Sequence, residues 1–115
     1  MQDESLINEL IGGFERELRR GSLVLVVLFL LQKPTHGYDL LTRVEKHKVA
    51  MDTDTLYPLL RRLESQGLLV GEWKTTAARP RKIYALTELG IEVLAKMKNL
   101  WAQYGNTIER MIDHD

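Results

Sequence analysis

Four leucines between Asp52 and Gly67 limit the fold more than any other feature of the chain. In DTDTLYPLLRRLESQG, Leu56, Leu59, Leu60 and Leu63 recur at i, i+3, i+4 and i+7, the spacing of one buried helical face. Asp52 supplies an N-cap oxygen, and Gly67 can take the left-handed conformation that stops a helix. The opposite face carries Asp54, Tyr57, Pro58, Arg61, Arg62 and Ser65. Pro58 lacks a backbone donor, but so near the helix start few carbonyls are disturbed, and its ring joins the outward surface.

The residues on either side narrow the choice further. After Gly67, LLVGEWKT reads as a strand, TAARP as a turn and RKIYALT as a second strand, a β-hairpin. Upstream, a helix is expected from His36 to about Lys48, with Thr35 as its N-cap and Tyr38, Leu41 and Val44 apolar. Before it, Ser22 to Gln32 is apolar nearly all round, as a central buried helix would be. Its β-branched content would also fit a buried strand, and periodicity alone does not decide between them. Lys33-Pro34 ends it.

Residues 3–18 form a first amphipathic helix, with Ile7, Ile11, Phe14 and Leu18 on one stripe and Leu6 and Leu10 beside it; Gly21 is expected to interrupt. Thr87 caps a last helix starting at Glu88. There Leu94, Met97, Trp101, Tyr104, Ile108 and Met111 alternate spacings of three and four, a coiled-coil seam. Two short helices joined by a tight connection and followed by a hairpin make a winged helix-turn-helix. The expected class is mainly α with a small β-hairpin. Residues 1–18 form an N-terminal dimer-contact helix, 19–87 the winged domain and 88–115 a C-terminal dimerisation helix.

Composition sets the outer bounds. At 115 residues the chain is one domain's worth, and 44% hydrophobic residues suffice for one core. There is no cysteine, which excludes disulfides and thiolate metal sites and suits a reducing cytoplasm. The apolar run LVLVVLFLL is about half of what a membrane span needs, and the start MQDESL lacks a signal peptide's basic region. Net charge is zero but uneven. Lys33 to Lys82 holds ten Lys/Arg against six Asp/Glu, a net of +4, and the segments on either side are each −2. A basic centre between acidic ends suits an anionic partner.

Catalysis finds no footing. His36, His47 and His114 are scattered without metal-ligand spacing, and Asp52 and Asp54 are better read as helix-start carboxylates. Gly12-Gly13 is no phosphate loop, and no nucleophile-elbow or Walker pattern occurs. No enzyme activity, cofactor or metal is expected.

Three stretches, HGYDLL (36–41), TLYPLLRRLESQGLL (55–69) and ARPRKIYALTELG (78–90), together with the preceding LVLVVLFLL, resemble the PadR family of bacterial transcriptional regulators. The resemblance runs from Arg20 to Gly90. It implies a winged-helix DNA-binding domain, a C-terminal dimerisation helix and, usually, repression relieved by a small effector. Tyr38 falls in its HGY element, Tyr57 in LYP, and Arg79 and Arg81 in RPRK. Ala78 stands where the family commonly has glycine, so a different wing turn is expected.

The residues support the same surface on physical grounds. Lys74, Arg79, Arg81 and Lys82 cluster at a hairpin loop, where arginine can neutralise phosphate or enter a narrow minor groove. Arg61 and Arg62 suit guanine edges or phosphates, unless they are merely solvated charges near Glu64; Thr53 and Thr55, at a helix N-terminus, suit phosphate oxygens. The candidate DNA contacts are therefore Tyr38, Thr53, Thr55, Tyr57, Arg61, Arg62, Lys74, Arg79, Arg81 and Lys82, on a double-stranded pseudo-palindromic operator.

A last helix on the order of 40 Å long at 1.5 Å per residue is more apolar surface than one small domain covers. A homodimer is expected through Ile7, Ile11, Phe14, Leu94, Met97, Trp101, Tyr104, Ile108 and Met111. Trp101 lies eleven positions after Gly90, like the tryptophan that stacks planar drugs in multidrug-sensing relatives. The resemblance thus implies an aromatic-effector cleft of Met97, Trp101 and Tyr104, while the seam alone implies plain core. Gly105 replaces those relatives' acid, so cation selectivity does not carry over. The competing function is a winged helix used only for protein contact, whose wing would more often be apolar.

Overall fold

The computed structural model describes residues 3–75 and 78–114. Thr76 and Ala77, in the expected turn TAARP, lie outside the described residues, as do Met1, Gln2 and Asp115. The elements run α1 (Glu4–Leu30), β1 (Thr35–His36), α2 (Gly37–Lys46), α3 (Thr53–Ser65), β2 (Leu69–Lys74), β3 (Arg81–Leu86) and α4 (Glu88–His114). The winged helix-turn-helix is formed by α1 to β3, and α1 and α4 pack on one another along an elongated body of 61 × 32 × 22 Å.

The first correction concerns α1. It is a single helix of 27 residues, continuous through Gly12, Gly13 and Gly21. A glycine inside a helix costs about 1 kcal/mol relative to alanine, which is too little to break a helix anchored by a buried end. That end is Val27, Leu28 and Leu30, with Leu31 just beyond, so the apolar run is helix rather than strand. They meet Leu40 and Val44 of α2 and the whole leucine face of α3, Leu56, Leu59, Leu60 and Leu63. Each leucine removed from water contributes roughly 1.5–3 kcal/mol, so this cluster holds the helices together.

Caps define the remaining ends. Asp52 Oδ1 accepts from Thr55 N at 2.9 Å, and Gly67, at φ +81°, closes α3 as Leu68 N reaches Leu63 O at 3.0 Å. Between α2 and α3, Lys48 takes the left-handed conformation (φ +60°), and Val49 N closes back onto Val44 O at 2.8 Å. Thr87 Oγ1 accepts from Gly90 N at 3.0 Å and donates to Gly67 O at 2.6 Å, pinning the start of α4 to the end of α3.

The cap of α2 is the second correction. His36, not Thr35, holds that place: its Nδ1 accepts from Asp39 N at 3.3 Å, and the Thr35 hydroxyl donates to Asp39 Oδ2 at 2.8 Å. Thr35 and His36 instead pair with Tyr84 and Ile83, giving a three-stranded antiparallel sheet in the order β1-β3-β2. A two-residue strand is too short to show any alternation. The hairpin register runs from Leu69↔Leu86 to Lys74↔Arg81, and Tyr84 of the central strand turns its ring into the core.

Candidate nucleic-acid interface

With its leucine face buried, α3 leaves Asp54, Tyr57, Pro58, Arg61, Arg62 and Ser65 exposed, as well as Thr53 and Thr55 in its first turn. The donor lost at Pro58 would have served the carbonyl of Asp54, a residue on this exposed face. Tyr57 is 36% exposed, and its ring lies against Gly37, where a Cβ would come within 2.6 Å of Cε1. Tyr57 thus packs on the glycine of HGY, and Tyr38 stands 73% exposed.

The wing's cations divide into engaged and free. Lys82 Nζ donates to Glu64 Oε1 at 2.8 Å and lies 5.2 Å from the centre of the Tyr84 ring. The hydrogen bond to Glu64 raises the Lys82 pKa above its ordinary value, outweighing a smaller lowering by desolvation. Glu64 Oε2 accepts from Gly71 N at 3.2 Å. Glu64 therefore faces the wing and not Arg61 or Arg62, the neighbours its sequence position suggested. Lys74 pairs with Glu72 at 3.5 Å. Among the described residues Arg61, Arg62 and Arg79 have no ion-pair partner.

Arg81 Nη1 lies 3.2 Å from His36 Nε2. A neutral imidazole has one ring lone pair to offer, so Asp39 N at Nδ1 and Arg81 at Nε2 draw on the same acceptor. No carboxylate pairs with Arg81 among the described residues, so the guanidinium's charge stays available.

Three arginines escaped the sequence reading. Arg16, Arg19 and Arg20 of α1 line a recess of about 450 Å³ with Met51, Asp52 and Thr55, beside the start of α3. Arg19 pairs with Glu15 at 3.0 Å. The Arg19-Arg20 doublet was the available signal, and it was hidden by the net negative charge of its segment.

The far half of the molecule holds a second feature. Met97, Trp101, Tyr104 and Ile108 of α4 face Leu18, Gly21 and Leu25 of α1 across an apolar cleft of about 690 Å³. Trp101 is 56% exposed, so α1 does not cover it. The expected seam needs one correction. Leu94 is only 3% exposed and belongs to the protomer's own core, which leaves it no surface for a partner. Met97 is half-buried at the edge of that core, whereas Ile11, Phe14, Tyr104 and Met111 are well exposed and Ile7 and Ile108 less so. No helix among the described residues is long and apolar enough to cross a membrane, and no group of three or more His, Asp or Glu is placed to hold a metal ion.

The sequence pattern of the transcriptional regulator PadR-like family matches residues 24–96, the winged core from the last turns of α1 to the first turns of α4. The chain belongs to this family. A transcriptional regulator of Mycobacterium tuberculosis is 34% identical over 82 residues, which span 70% of this chain and 77% of that protein. Among solved structures, a PadR-family regulator from Eggerthella lenta superposes with a TM-score of 0.92 at 36% identity, covering 96% of this chain and 99% of the other. A PadR-like regulator from Bacillus cereus gives 0.76 at 26% identity, covering 86% and 99%. This PadR-family protein is accordingly a transcriptional regulator and not an enzyme. The family pattern ends at residue 96, short of Trp101, so the α4 side of the cleft lies outside the part matched to the family.

Proposed function

We propose that the protein is a homodimeric, sequence-specific repressor acting in the cytoplasm on a pseudo-palindromic operator. The observation that carries this reading is the exposed Arg61 and Arg62 on the outward face of α3, adjoining a wing whose Arg79 and Arg81 keep their charge available. In such a complex α3 enters the major groove, where Tyr57, Arg61 and Arg62 meet base edges or phosphates. Thr53, Thr55 and Tyr38 lie to the side of the backbone, and the wing arginines take phosphate or the minor groove. Lys74 joins them once its surface pair with Glu72 opens, at little cost for so exposed a pair.

Dimerisation follows from uncovered apolar surface. Ile7, Ile11 and Phe14 of α1 and Trp101, Tyr104, Ile108 and Met111 of α4 form stripes that α1 and α4 do not bury in one another. A second copy buries them and sets two α3 helices about 34–36 Å apart, one helical turn of DNA. In this scheme residues 19–87 read DNA, and 1–18 and 88–115 hold the dimer, with the seam starting at Met97. A planar aromatic effector stacked on Trp101, between Met97 and Tyr104, would favour a dimer spacing that no longer fits one groove repeat.

A gel shift with the DNA upstream of its own gene, run beside light scattering, tests the scheme. A retarded band and a mass of two chains are expected; a monomer at micromolar concentration, or no retardation of any duplex, would overturn it. A winged helix serving only protein contacts would leave these guanidinium groups without a polyanion to meet, and the basic wing favours DNA.

A further inference from the structure

The Glu64–Lys82 pair joins the end of the recognition helix to the middle of the wing. Glu64 is the last residue but one of α3, and Lys82 lies on the central strand β3. The carboxylate is used twice, accepting from Lys82 Nζ at 2.8 Å and from Gly71 N of β2 at 3.2 Å, so one side chain binds both strands of the hairpin. Lys82 and Tyr84 share a face of β3, and Gly71 is the residue directly across from Tyr84. The lysine stem crosses that vacant face. A Cβ on Gly71 would overlap Lys82 Cε and come within 3.0 Å of Glu64 Oε2 and 3.2 Å of the Tyr84 ring. Glycine at 71 is thus the space in which the bridge is built.

The inner wing is fastened by the pairing of β1 with β3 at Thr35↔Tyr84 and His36↔Ile83 and by the buried Tyr84 ring. Among the described residues, the side-chain hydrogen bonds from the wing to the helices are those of Glu64, and the Arg81–His36 contact is the other polar side-chain tie. We propose that Glu64 is a positioning residue that acts through Lys82 and Gly71 to hold the wing at a fixed angle to α3, and that Lys82 neutralises no phosphate. This rests on the DNA-binding reading above. It removes Lys82 from the expected DNA contacts and gives it a role in specificity. A rigid helix–wing unit meets only DNA whose groove and backbone match its span, whereas a loose wing gives up that discrimination.

The test uses the full chain and a duplex selected by the wild-type protein from random-sequence DNA, with an unselected duplex of equal length for comparison. Glu64→Gln and Lys82→Met are each expected to weaken binding to the selected duplex about tenfold while leaving the unselected one unchanged, which also marks the variants as folded. The double variant should be no weaker than the weaker single, and Lys82→Arg should stay within about twofold of wild type, because it keeps a donor for Glu64. The salt dependence of Lys82→Met should equal that of wild type. A slope shallower by about 0.9 per lost contact would make Lys82 a phosphate ligand and overturn the proposal. Additive losses in the double variant, or wild-type affinity in both singles, would do the same. If Glu64→Gln does not fold, the Lys82→Met and Lys82→Arg pair decides alone. If selection with wild-type protein enriches no duplex, the DNA-binding reading itself fails before the bridge is in question.

Discussion

Replacing Arg79 by alanine isolates one charge. Arg79 is exposed beside the tip of the hairpin and has no ion-pair partner among the described residues, so the change removes a cation without breaking an ion pair among them. On the proposed face, Lys82 is held by Glu64, which leaves Arg61, Arg62, Arg79, Arg81 and, once its exposed pair with Glu72 opens, Lys74 as the available cations of each protomer. A dimer using all of them would neutralise about ten phosphates, and log K against log salt would fall with a slope of about −9. Arg79→Ala removes one from each wing, making the slope shallower by about 1.8. Between 50 and 200 mM salt the wild type should therefore lose about twelvefold more affinity than the variant. Fluorescence anisotropy of a labelled duplex across that range measures both slopes. Phosphate carries no sequence, so selected and unselected duplexes should weaken by the same factor. An unchanged slope would refute the assignment of Arg79 to the backbone. A loss confined to the selected duplex would move Arg79 into a shape-dependent minor-groove contact.

Four other outcomes are expected. Arg61→Ala or Tyr57→Ala should change the sequences recovered by selection, and unchanged preference and affinity in both would mean that another face of α3 meets DNA. Gly90→Ala would press a methyl group onto the Leu68 carbonyl, which is backbone and yields little; a loss of about 2 kcal/mol, or roughly 8 °C in Tm, should appear in melts at fixed protein concentration. Ending the chain after Asn99 keeps Leu94 and Met97 in the core but removes Trp101, Tyr104, Ile108 and Met111, so light scattering should find a folded monomer with weakened operator binding. Planar phenolics or dyes should quench Trp101 and lower operator affinity by about thirtyfold, a coupling of about 2 kcal/mol, with Trp101→Phe abolishing the quenching. If quenching survives that substitution, Trp73 or another site is responsible; if none occurs and the dimer weakens, Trp101 is core.

Much of the fold was legible because the signals are local. The leucine spacing of α3, its Asp52 cap and Gly67 stop, the hairpin strands and Thr87 at the head of α4 each depend on residues within a turn or two. The backbone answers such signals wherever they occur. The family resemblance was legible for the same reason, since its motifs are short and keep their order. What the chain order did not decide depends on what lies across space. Gly21 looked like a break because a helix is weakened there, yet the buried end of α1 carries the helix through it. Leu94 and Trp101 share one seam by spacing, but only packing against the core of α1 to α3 turns the first inward and leaves the second open. Thr35 and His36 became a strand only because β3 offered an unpaired edge. The lysines and arginines of the wing are one basic cluster in sequence. Glu64, folded back from α3, captures Lys82 and leaves Arg79 free, because an ion pair is made by distance in three dimensions and not by separation along the chain.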